Sequence, residues 1–211
     1  MATKENRTFK FFVNNAWHQP ASETYFDSEN PSTGQVWAHV PDCDQTDVAR
    51  AVAAARSAFY EGPWGAMLPA ERGRMLRRIG DAISRHADRL GEIETRDNGK
   101  LAKNITPSLK PDAWQVDSWH YYAGMCDKFE GSLIPAEMRD MHNYMKWEPF
   151  GVCALILPWN SPLGTLIWKL APCLAAGNTV VMKPSEHSSC STLELMDVLL
   201  QADMPPGVLN V

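Results

Sequence analysis

Apolar and polar positions between residues 151 and 211 form blocks that predict strands and helices in turn. The apolar run 152–157 lacks period-two alternation, which is typical of a parallel-sheet strand buried on both faces. Ser161 is a natural N-cap and Pro162 fits the first turn of a helix. These residues predict a helix that runs to about Ala176.

A second strand and a second helix follow in the same order. The segment 179–182 predicts a short strand that Pro184 ends, and Ser191 with Glu194 predicts a capping box at the start of the next helix. A last strand is predicted at 208–211. Two successive strand–helix–strand units predict an α/β fold with a doubly wound parallel sheet, because crossovers between parallel strands are right-handed.

The chain before this region predicts short strands followed by helices. Aromatic and β-branched segments between turn residues predict strands at 11–13, 25–27 and 36–40. Residues 44–60 change to a helical period. The apolar positions of this helix predict one buried face, made of Val48, Val52, Ala55 and Phe59.

Two further helices and a hairpin complete the predicted elements. A long helix begins near Pro69, and another begins after Pro107 or Pro111. The long helix has a predicted buried stripe of Leu76, Ile79, Ile83, Ala87 and Leu90. The later helix carries Trp114, Trp119, Tyr121 and Tyr122, which predict a packing face, or, as the alternative, the lining of a substrate path.

Strand-like pieces at 132–134 and 144–147 predict a two-stranded hairpin, which needs something to pair with or pack on. We therefore divide the chain into residues 1–126, residues 127–150 with the hairpin, and residues 151–211 with the parallel strands.

The composition narrows the class of protein. The 211 residues carry a formal net charge of −5, which gives no electrostatic footprint for nucleic acid or an anionic membrane surface. Arginines around the long helix are interpreted as a solvated face, with Asp81 paired to Arg77 and Arg85. The N-terminus lacks an apolar signal region and no apolar run approaches membrane-spanning length, so we expect a cytoplasmic protein.

The cysteines favour a reduced, mostly buried state. They are odd in number, scattered, and form neither CxxC pairs nor a Cys/His metal spacing. Their positions are Cys43, Cys126, Cys153, Cys173 and Cys190.

Candidate site residues follow the first two predicted parallel strands. Ligands of open parallel sheets sit beyond the carboxyl ends of the strands, where this chain places PWN at 158–160 and KPSE at 183–186. The first strand-to-helix turn lacks the glycine-rich fingerprint of an ordinary pyrophosphate loop. From the residues alone, Asn160 could be a turn or capping residue, although Ser161 is the better placed cap and leaves Asn160 free, and KPSE could equally be a polar turn.

At these residues the chain resembles the NAD(P)-dependent aldehyde dehydrogenase superfamily. The resemblance is carried by GVCALILPWNSPL, WKLAPCLAAGNTVVMKPSEHS and MPPGVLNV, and it extends back to about Phe11. These are long, ordered matches rather than one short pattern. The family binds its cofactor without a glycine fingerprint on the first strand, in agreement with this sequence.

The resemblance implies roles for the two candidate loops. Asn160 matches the asparagine whose side-chain amide stabilises the negative oxygen of the thiohemiacetal, and Lys183 with Glu186 matches the pair that holds the adenosine ribose. A carboxylate at this place opposes a 2′-phosphate, which favours NAD over NADP. The further cofactor-binding residues implied are Ile156, Leu157, Pro158, Trp159, Pro184 and Ser185, with a core-strand role as the alternative for the first two.

The resemblance also implies that this chain is the N-terminal portion of an enzyme. In the family the cysteine nucleophile and the glutamate base follow the third strand, and none of the five cysteines matches the nucleophile motif. A parallel sheet with three strands would also keep an unpaired apolar edge, so we expect further chain beyond Val211 or a second chain. The hairpin corresponds to a segment that projects into a neighbouring subunit, which implies a homo-oligomer (dimer or tetramer) that acts on an aldehyde, with an intramolecular flap as the alternative.

Three functions remain open from the sequence. The first is NAD-dependent oxidation of an aldehyde to a carboxylate, and the second is a CoA-acylating semialdehyde dehydrogenase. The third is a truncated, non-catalytic chain that only binds nucleotide or associates with other subunits.

Overall fold

The computed structural model of the chain describes residues 7–211, so the first six residues of the predicted N-terminal region lie outside it. The strands are β1 (Arg7–Thr8), β2 (Phe11–Val13), β3 (Ala16–His18), β4 (Tyr25–Asn30), β5 (Gln35–Pro41), β6 (Ser132–Ile134), β7 (Asn143–Met145), β8 (Val152–Ile156), β9 (Thr179–Lys183) and β10 (Leu209–Asn210). The helices are α1 (Gln45–Tyr60), α2 (Pro63–Ala66), α3 (Pro69–Arg85), α4 (Ala87–Asn98), α5 (Ala102–Ile105), α6 (Trp114–Met125), α7 (Pro162–Ala175) and α8 (Cys190–Leu199). The fold is α/β, as the sequence predicts.

The parallel sheet has the strand order β10-β9-β8. Helix α7 connects β8 to β9, and α8 connects β9 to β10. Gly177 ends the first crossover with a φ of 95°, a left-handed conformation that glycine adopts without strain. Beyond β10, Phe12 and Val211 exchange two backbone hydrogen bonds of 3.1 and 2.8 Å, so the N-terminal β2 extends this sheet.

The N-terminal strands form two small sheets. Strand β5 pairs with β4 antiparallel and with β1 parallel, and β2 pairs with β3 antiparallel. The predicted strands at 11–13, 25–27 and 36–40 are confirmed, whereas β1 and β3 are too short to give a signal in the sequence.

The predicted hairpin is also formed. Strands β6 and β7 pair antiparallel with Leu133 opposite Tyr144, although the second strand begins one residue earlier than predicted. Both side chains are exposed, at 77% and 70% respectively. Within the described residues the hairpin therefore offers an uncovered apolar surface.

Two predicted apolar faces are wrong in part. Strand β8 is not buried on both faces, because Ala154 is exposed and Ile156 is 66% exposed. In helix α1 the predicted Ala55 is buried, but Val48 and Val52 are 52% and 42% exposed, and Ala51 is buried instead. Small residues allow α1 to lie close to the sheet, where Thr179 Oγ1 donates to the Ala55 carbonyl at 2.9 Å.

The long helix predicted from Pro69 is two helices that meet at His86. The predicted stripe is buried throughout, with Leu76, Ile79, Ile83, Ala87 and Leu90 each at 0% exposure. The arginines are not simply a solvated face, since Arg72 and Arg78 donate to backbone carbonyls of Ala175 and Ala202.

The Asp81 carboxylate pairs with His120 Nε2 at 3.2 Å and not with the predicted partners, Arg77 and Arg85. His120 lies on α6, so a partner from another helix replaces a neighbour on the same helix. All five cysteines are free thiols, as predicted, but only Cys126 and Cys190 are buried, and Cys43 is exposed. No helix in residues 7–211 is long and apolar enough to cross a membrane.

Candidate functional site

The two candidate loops lie side by side at one edge of the parallel sheet. In the register of β8 and β9, Ile156 lies opposite Lys183. The Leu157 backbone N–H donates to the Lys183 carbonyl at 2.9 Å, which keeps the strands paired one residue beyond β8. The chain leaves the sheet immediately afterwards, at Pro158 and Pro184. PWN and KPSE therefore begin at neighbouring positions.

The first loop presents Asn160 to solvent. Asn160 is exposed and Trp159 is 59% exposed. Across residues 7–211 the Asn160 side chain has no hydrogen-bond partner. Ser161 occupies the predicted N-cap position of α7, but its hydroxyl makes no capping bond.

The second loop presents a charged pair. Lys183 Nζ lies 3.4 Å from Glu186 Oε2 and also donates to the Pro184 carbonyl at 3.0 Å. The pKa of Glu186 is lowered from its ordinary value by a bond from its own backbone N–H and by Lys183. Both side chains are largely exposed. The arrangement offers one ammonium and one carboxylate to a polar ligand.

Ser185 holds the second loop in shape. Its side chain is buried, and its carbonyl accepts bonds from the Ser188 N–H at 3.0 Å and the Ser189 hydroxyl at 2.7 Å. The loop that carries Glu186 is therefore a tight turn rather than a free segment.

An open cleft of about 1020 Å³ begins at this edge of the sheet. Predicted site residues contribute Ile156, Lys183, Pro184 and Glu186 to its wall. Leu157 is not in the wall, because it is 3% exposed and belongs to the core. The exposed valines of α1, Val48 and Val52, and the segment around Cys43 form the opposite side.

Cys43 is a poor nucleophile in this cleft. Although Cys43 is exposed at the surface, partial desolvation of its thiol, followed by the charge of Asp47, raises the pKa of the thiol to about 12. The thiolate that nucleophilic chemistry requires is therefore scarce near neutral pH.

Sequence reasoning missed two buried carboxylates on α4 that contact this region. Glu94 Oε2 accepts the Leu163 backbone N–H at 3.2 Å, at the start of α7. Asp97 Oδ2 accepts the backbone N–H groups of Cys190 at 2.9 Å and of Ser191 at 3.4 Å, at the start of α8. Burial raises the pKa of both carboxyls, that of Glu94 to about 7.

The predicted capping box of α8 is therefore wrong. The helix begins one residue before Ser191, and the buried Glu194 forms ion pairs with Arg7 and Arg89. The signal that could have found the true cap is the acidic pair Glu94 and Asp97 at i, i+3 spacing, which places both carboxylates on one face of a helix.

Lys169 was also missed. Its ammonium group donates to the Ile156 carbonyl at 2.5 Å, so a side chain of α7 reaches back to the end of β8. It is the one charged residue in the apolar sequence of α7, and this contrast is a usable signal.

A second hollow lies beside α7, with a volume of about 600 Å³. Its wall contains Trp114 and Trp168, whose ring centroids lie 5.4 Å apart. Tyr121 lines it as well and is 62% exposed. Trp119 is fully buried, so the aromatic face predicted on α6 divides between core and hollow.

A profile of the aldehyde dehydrogenase family matches residues 17–211 of this sequence. The chain belongs to the aldehyde dehydrogenase family. The resemblance stated above is thereby confirmed, and it covers nearly all of the described residues.

Similar proteins agree with this membership. The mitochondrial aldehyde dehydrogenase of Sus scrofa is 43% identical over 203 residues, which is 96% of this chain and 38% of that protein. The (Z)-2-((N-methylformamido)methylene)-5-hydroxybutyrolactone dehydrogenase of Acinetobacter baylyi is 39% identical, over 96% of this chain and 41% of that protein. The chain thus spans about two fifths of the length of the curated relatives it matches.

A solved structure shows the same fold. The NAD+ complex of an aldehyde dehydrogenase from Bacillus cereus superimposes with a TM-score of 0.91 at 36% identity. The match covers 97% of this chain and 41% of that one. The α/β fold described above is therefore that of the corresponding part of an aldehyde dehydrogenase.

Proposed function

We propose that this chain is the N-terminal part of an NAD-dependent aldehyde dehydrogenase whose cysteine nucleophile lies beyond Val211. The observation that carries the proposal is the placement of PWN and KPSE at neighbouring strand ends in a member of this family. Residues 1–211 alone are inactive in this proposal. Their task is to hold the cofactor and one group that stabilises negative charge.

The cleft and the second loop fit NAD. Lys183 and Glu186 offer a donor and an acceptor, the set that two ribose hydroxyls require, at the mouth of a cleft walled by apolar side chains such as Ile156 and Val52. When bound, the cofactor accepts a hydride from the substrate. The Glu186 carboxylate repels a 2′-phosphate, so we propose NAD rather than NADP as the cofactor.

The remaining residues of both loops shape this site. Pro184 and Ser185 hold Glu186 at the mouth of the cleft. The end of β8 and the loop after it, with Ile156, Leu157, Pro158 and Trp159, would support the nicotinamide side of the cofactor. We include Leu157 as a support because it is buried and bonded to the next strand.

Asn160 acts on the substrate. Attack of a thiolate on an aldehyde moves negative charge onto the carbonyl oxygen, and an amide N–H aimed at that oxygen stabilises the charge. The Asn160 amide is exposed at the strand end and is free for this purpose within residues 7–211. The product is a carboxylate once water releases the acyl group from sulfur.

The arrangement of the chain supports three further proposals. Residues 1–126 pack on a doubly wound cofactor domain, of which residues 151–211 are the first half. The hairpin in residues 127–150 joins subunits of a homo-oligomer, since its exposed apolar side chains have no cover among the described residues. We propose a cytoplasmic location, with neither nucleic acid nor a membrane as partner.

The test begins with the intact mass of the polypeptide as its native source produces it. A mass well above 23.6 kDa supports the proposal, and a mass at that value refutes it for this molecule. In the longer enzyme, Asn160→Ala lowers kcat by roughly a hundredfold or more with the fold intact. The control is Asn104→Ala, at an exposed asparagine outside the site. An unchanged kcat would remove Asn160 from the mechanism.

A further inference from the structure

Helices α3 and α4 contact both ends of the two helices that follow the site loops. At the N-terminal ends, Glu94 meets α7 and Asp97 meets α8. At the C-terminal end of α7, Arg72 Nε donates to the Ala175 carbonyl at 3.1 Å, and Arg78 Nη2 donates at 3.1 Å to the carbonyl of Ala202, in the 3-10 turn Leu200–Ala202 that follows α8. Acidic groups at N-termini and basic groups at C-termini both stabilise a helix through its dipole.

The carboxylates replace caps that the helices do not supply themselves. The residues at the N-cap positions are Ser161 for α7 and Ser189 for α8, and neither hydroxyl makes a capping bond. The first N–H groups of a helix need acceptors from elsewhere when they are buried. Glu94 and Asp97, which are each 2% exposed, provide these acceptors from another part of the chain.

Each carboxylate also binds a residue that lies close in sequence to a different site loop. Glu94 binds the amide of Leu163, three residues after Asn160. Asp97 accepts the Ser188 hydroxyl at 3.1 Å, two residues after Glu186. The two anchors therefore act on separate loops.

Asp97 in addition ties the second loop to the N-terminal sheet. Its Oδ1 accepts the Ser28 hydroxyl at 2.9 Å, and Ser28 belongs to β4. Four donors thus converge on one buried carboxylate, so the loop is fixed relative to two other elements.

We propose that Glu94 and Asp97 are positioning residues, Glu94 for the loop of Asn160 and Asp97 for the loop of Lys183 and Glu186. The inference rests on the proposed function for the roles of those loops. It predicts that loss of the first anchor affects the chemical step and loss of the second affects cofactor binding. A general structural role would disturb both together.

The experiment uses Glu94→Gln and Asp97→Asn in the enzyme that contains residues 1–211. Both changes keep the size of the side chain and remove its charge. We expect Glu94→Gln to lower kcat about tenfold and to change the KM for NAD by less than about twofold. We expect Asp97→Asn to raise the KM for NAD about tenfold and to change kcat by less than about twofold. The matched controls are Glu92→Gln and Asp88→Asn, at exposed acidic residues of the same helix.

Two milder variants serve if either of these does not fold. Ser188→Ala removes one donor from Asp97, and Asn98→Ala removes the bond of 3.4 Å to Glu94 Oε1. We expect changes of about threefold in the KM for NAD and in kcat respectively. Parallel changes in both constants, or constants like those of the controls, would overturn the proposal.

Hydrogen exchange separates this inference from the proposed function. Peptides covering 158–163 should exchange faster only in Glu94→Gln, and peptides covering 185–191 only in Asp97→Asn. A wild-type enzyme that does not oxidise aldehydes with NAD would refute the proposed function. The exchange pattern alone would then show whether Glu94 and Asp97 hold the two loops. Equal exchange rates in the variants and the controls would refute the positioning roles of Glu94 and Asp97.

Discussion

Glu94 should make the stability of this protein fall as the pH rises through neutrality. The side chain is 2% exposed. Burial, with a smaller contribution from the charge of Asp97, raises the pKa of its carboxyl from 4.5 to about 7. The Leu163 N–H, the charge of Lys100 and the Asn98 amide act in the opposite direction and only partly offset the burial.

The direction of this change in stability with pH follows from the number of protons bound in the folded and unfolded states. In the unfolded chain the carboxyl loses its proton near its ordinary pKa of 4.5, whereas the folded protein keeps it until about 7. Between these values the folded state binds more protons, so the free energy of unfolding decreases as the pH rises. The contribution of Glu94 is fully present below pH 4.5 and is lost as the pH rises to about 7.

The magnitude follows from the same two pKa values. A tenfold change in an acid constant corresponds to about 1.4 kcal/mol, so the full effect is about 3 kcal/mol. Glu94→Gln removes the titration but keeps the shape of the side chain. The difference in free energy of unfolding between variant and wild type should therefore rise by roughly 2 to 3 kcal/mol from about pH 5 to about pH 8.

Urea unfolding over this pH range measures the difference directly. Glu92→Gln, at a side chain that is 74% exposed, is the matched control and should run parallel to the wild type. A difference for Glu94→Gln that stays constant within about 0.5 kcal/mol would refute the reasoning, because the carboxyl would then have the same pKa in both states.

Two further predictions concern cofactor choice and the core. Glu186→Ala should raise the KM for NAD relative to that for NADP by about tenfold, since the carboxylate binds the ribose and repels a 2′-phosphate; an unchanged ratio would show that the ribose assignment is wrong. Trp64→Phe should lower the free energy of unfolding by about 2 to 3 kcal/mol in urea, because the indole N–H donates to the carbonyls of Gly177 and Asn178 at 2.9 and 3.1 Å. Trp168→Phe, at a side chain that is 64% exposed, should change it by less than about 0.5 kcal/mol.

Most elements of the fold could be predicted because their signals are local. The stripe of α3 and α4 repeats at helical spacing, and every residue predicted in it is buried. The faces of α1 and β8 could not be predicted equally well, because periodicity identifies apolar residues but not what covers them. Val48 and Ile156 are apolar residues on a cleft, and only the arrangement of distant segments shows this.

The candidate site, like the fold, could be predicted only in part from the sequence. The loops at 158–160 and 183–186 could be located because strand ends and prolines mark them, and the register of β8 and β9 shows that they lie together. The spacing of Glu94 and Asp97 puts both carboxylates on one face of α4, but it does not show that this face meets the first turns of α7 and α8. The capping box expected from Ser191 and Glu194 is replaced by Asp97, which is 93 residues away from Cys190 in sequence.

This long-range anchoring bears on how the site is built. Loops at the ends of parallel strands are inherently adjustable, because only one end of each is fixed by the sheet. The other end is the first turn of a helix, and here each first turn is bound by a buried carboxylate of α4, while an arginine of α3 binds the last residue of α7 and another binds the 3-10 turn that follows α8. A helix held at both ends cannot slide along its axis, so the position of α4 sets where each loop ends. Helices α3 and α4 thus determine the position of the two site loops without contributing a side chain to the cleft.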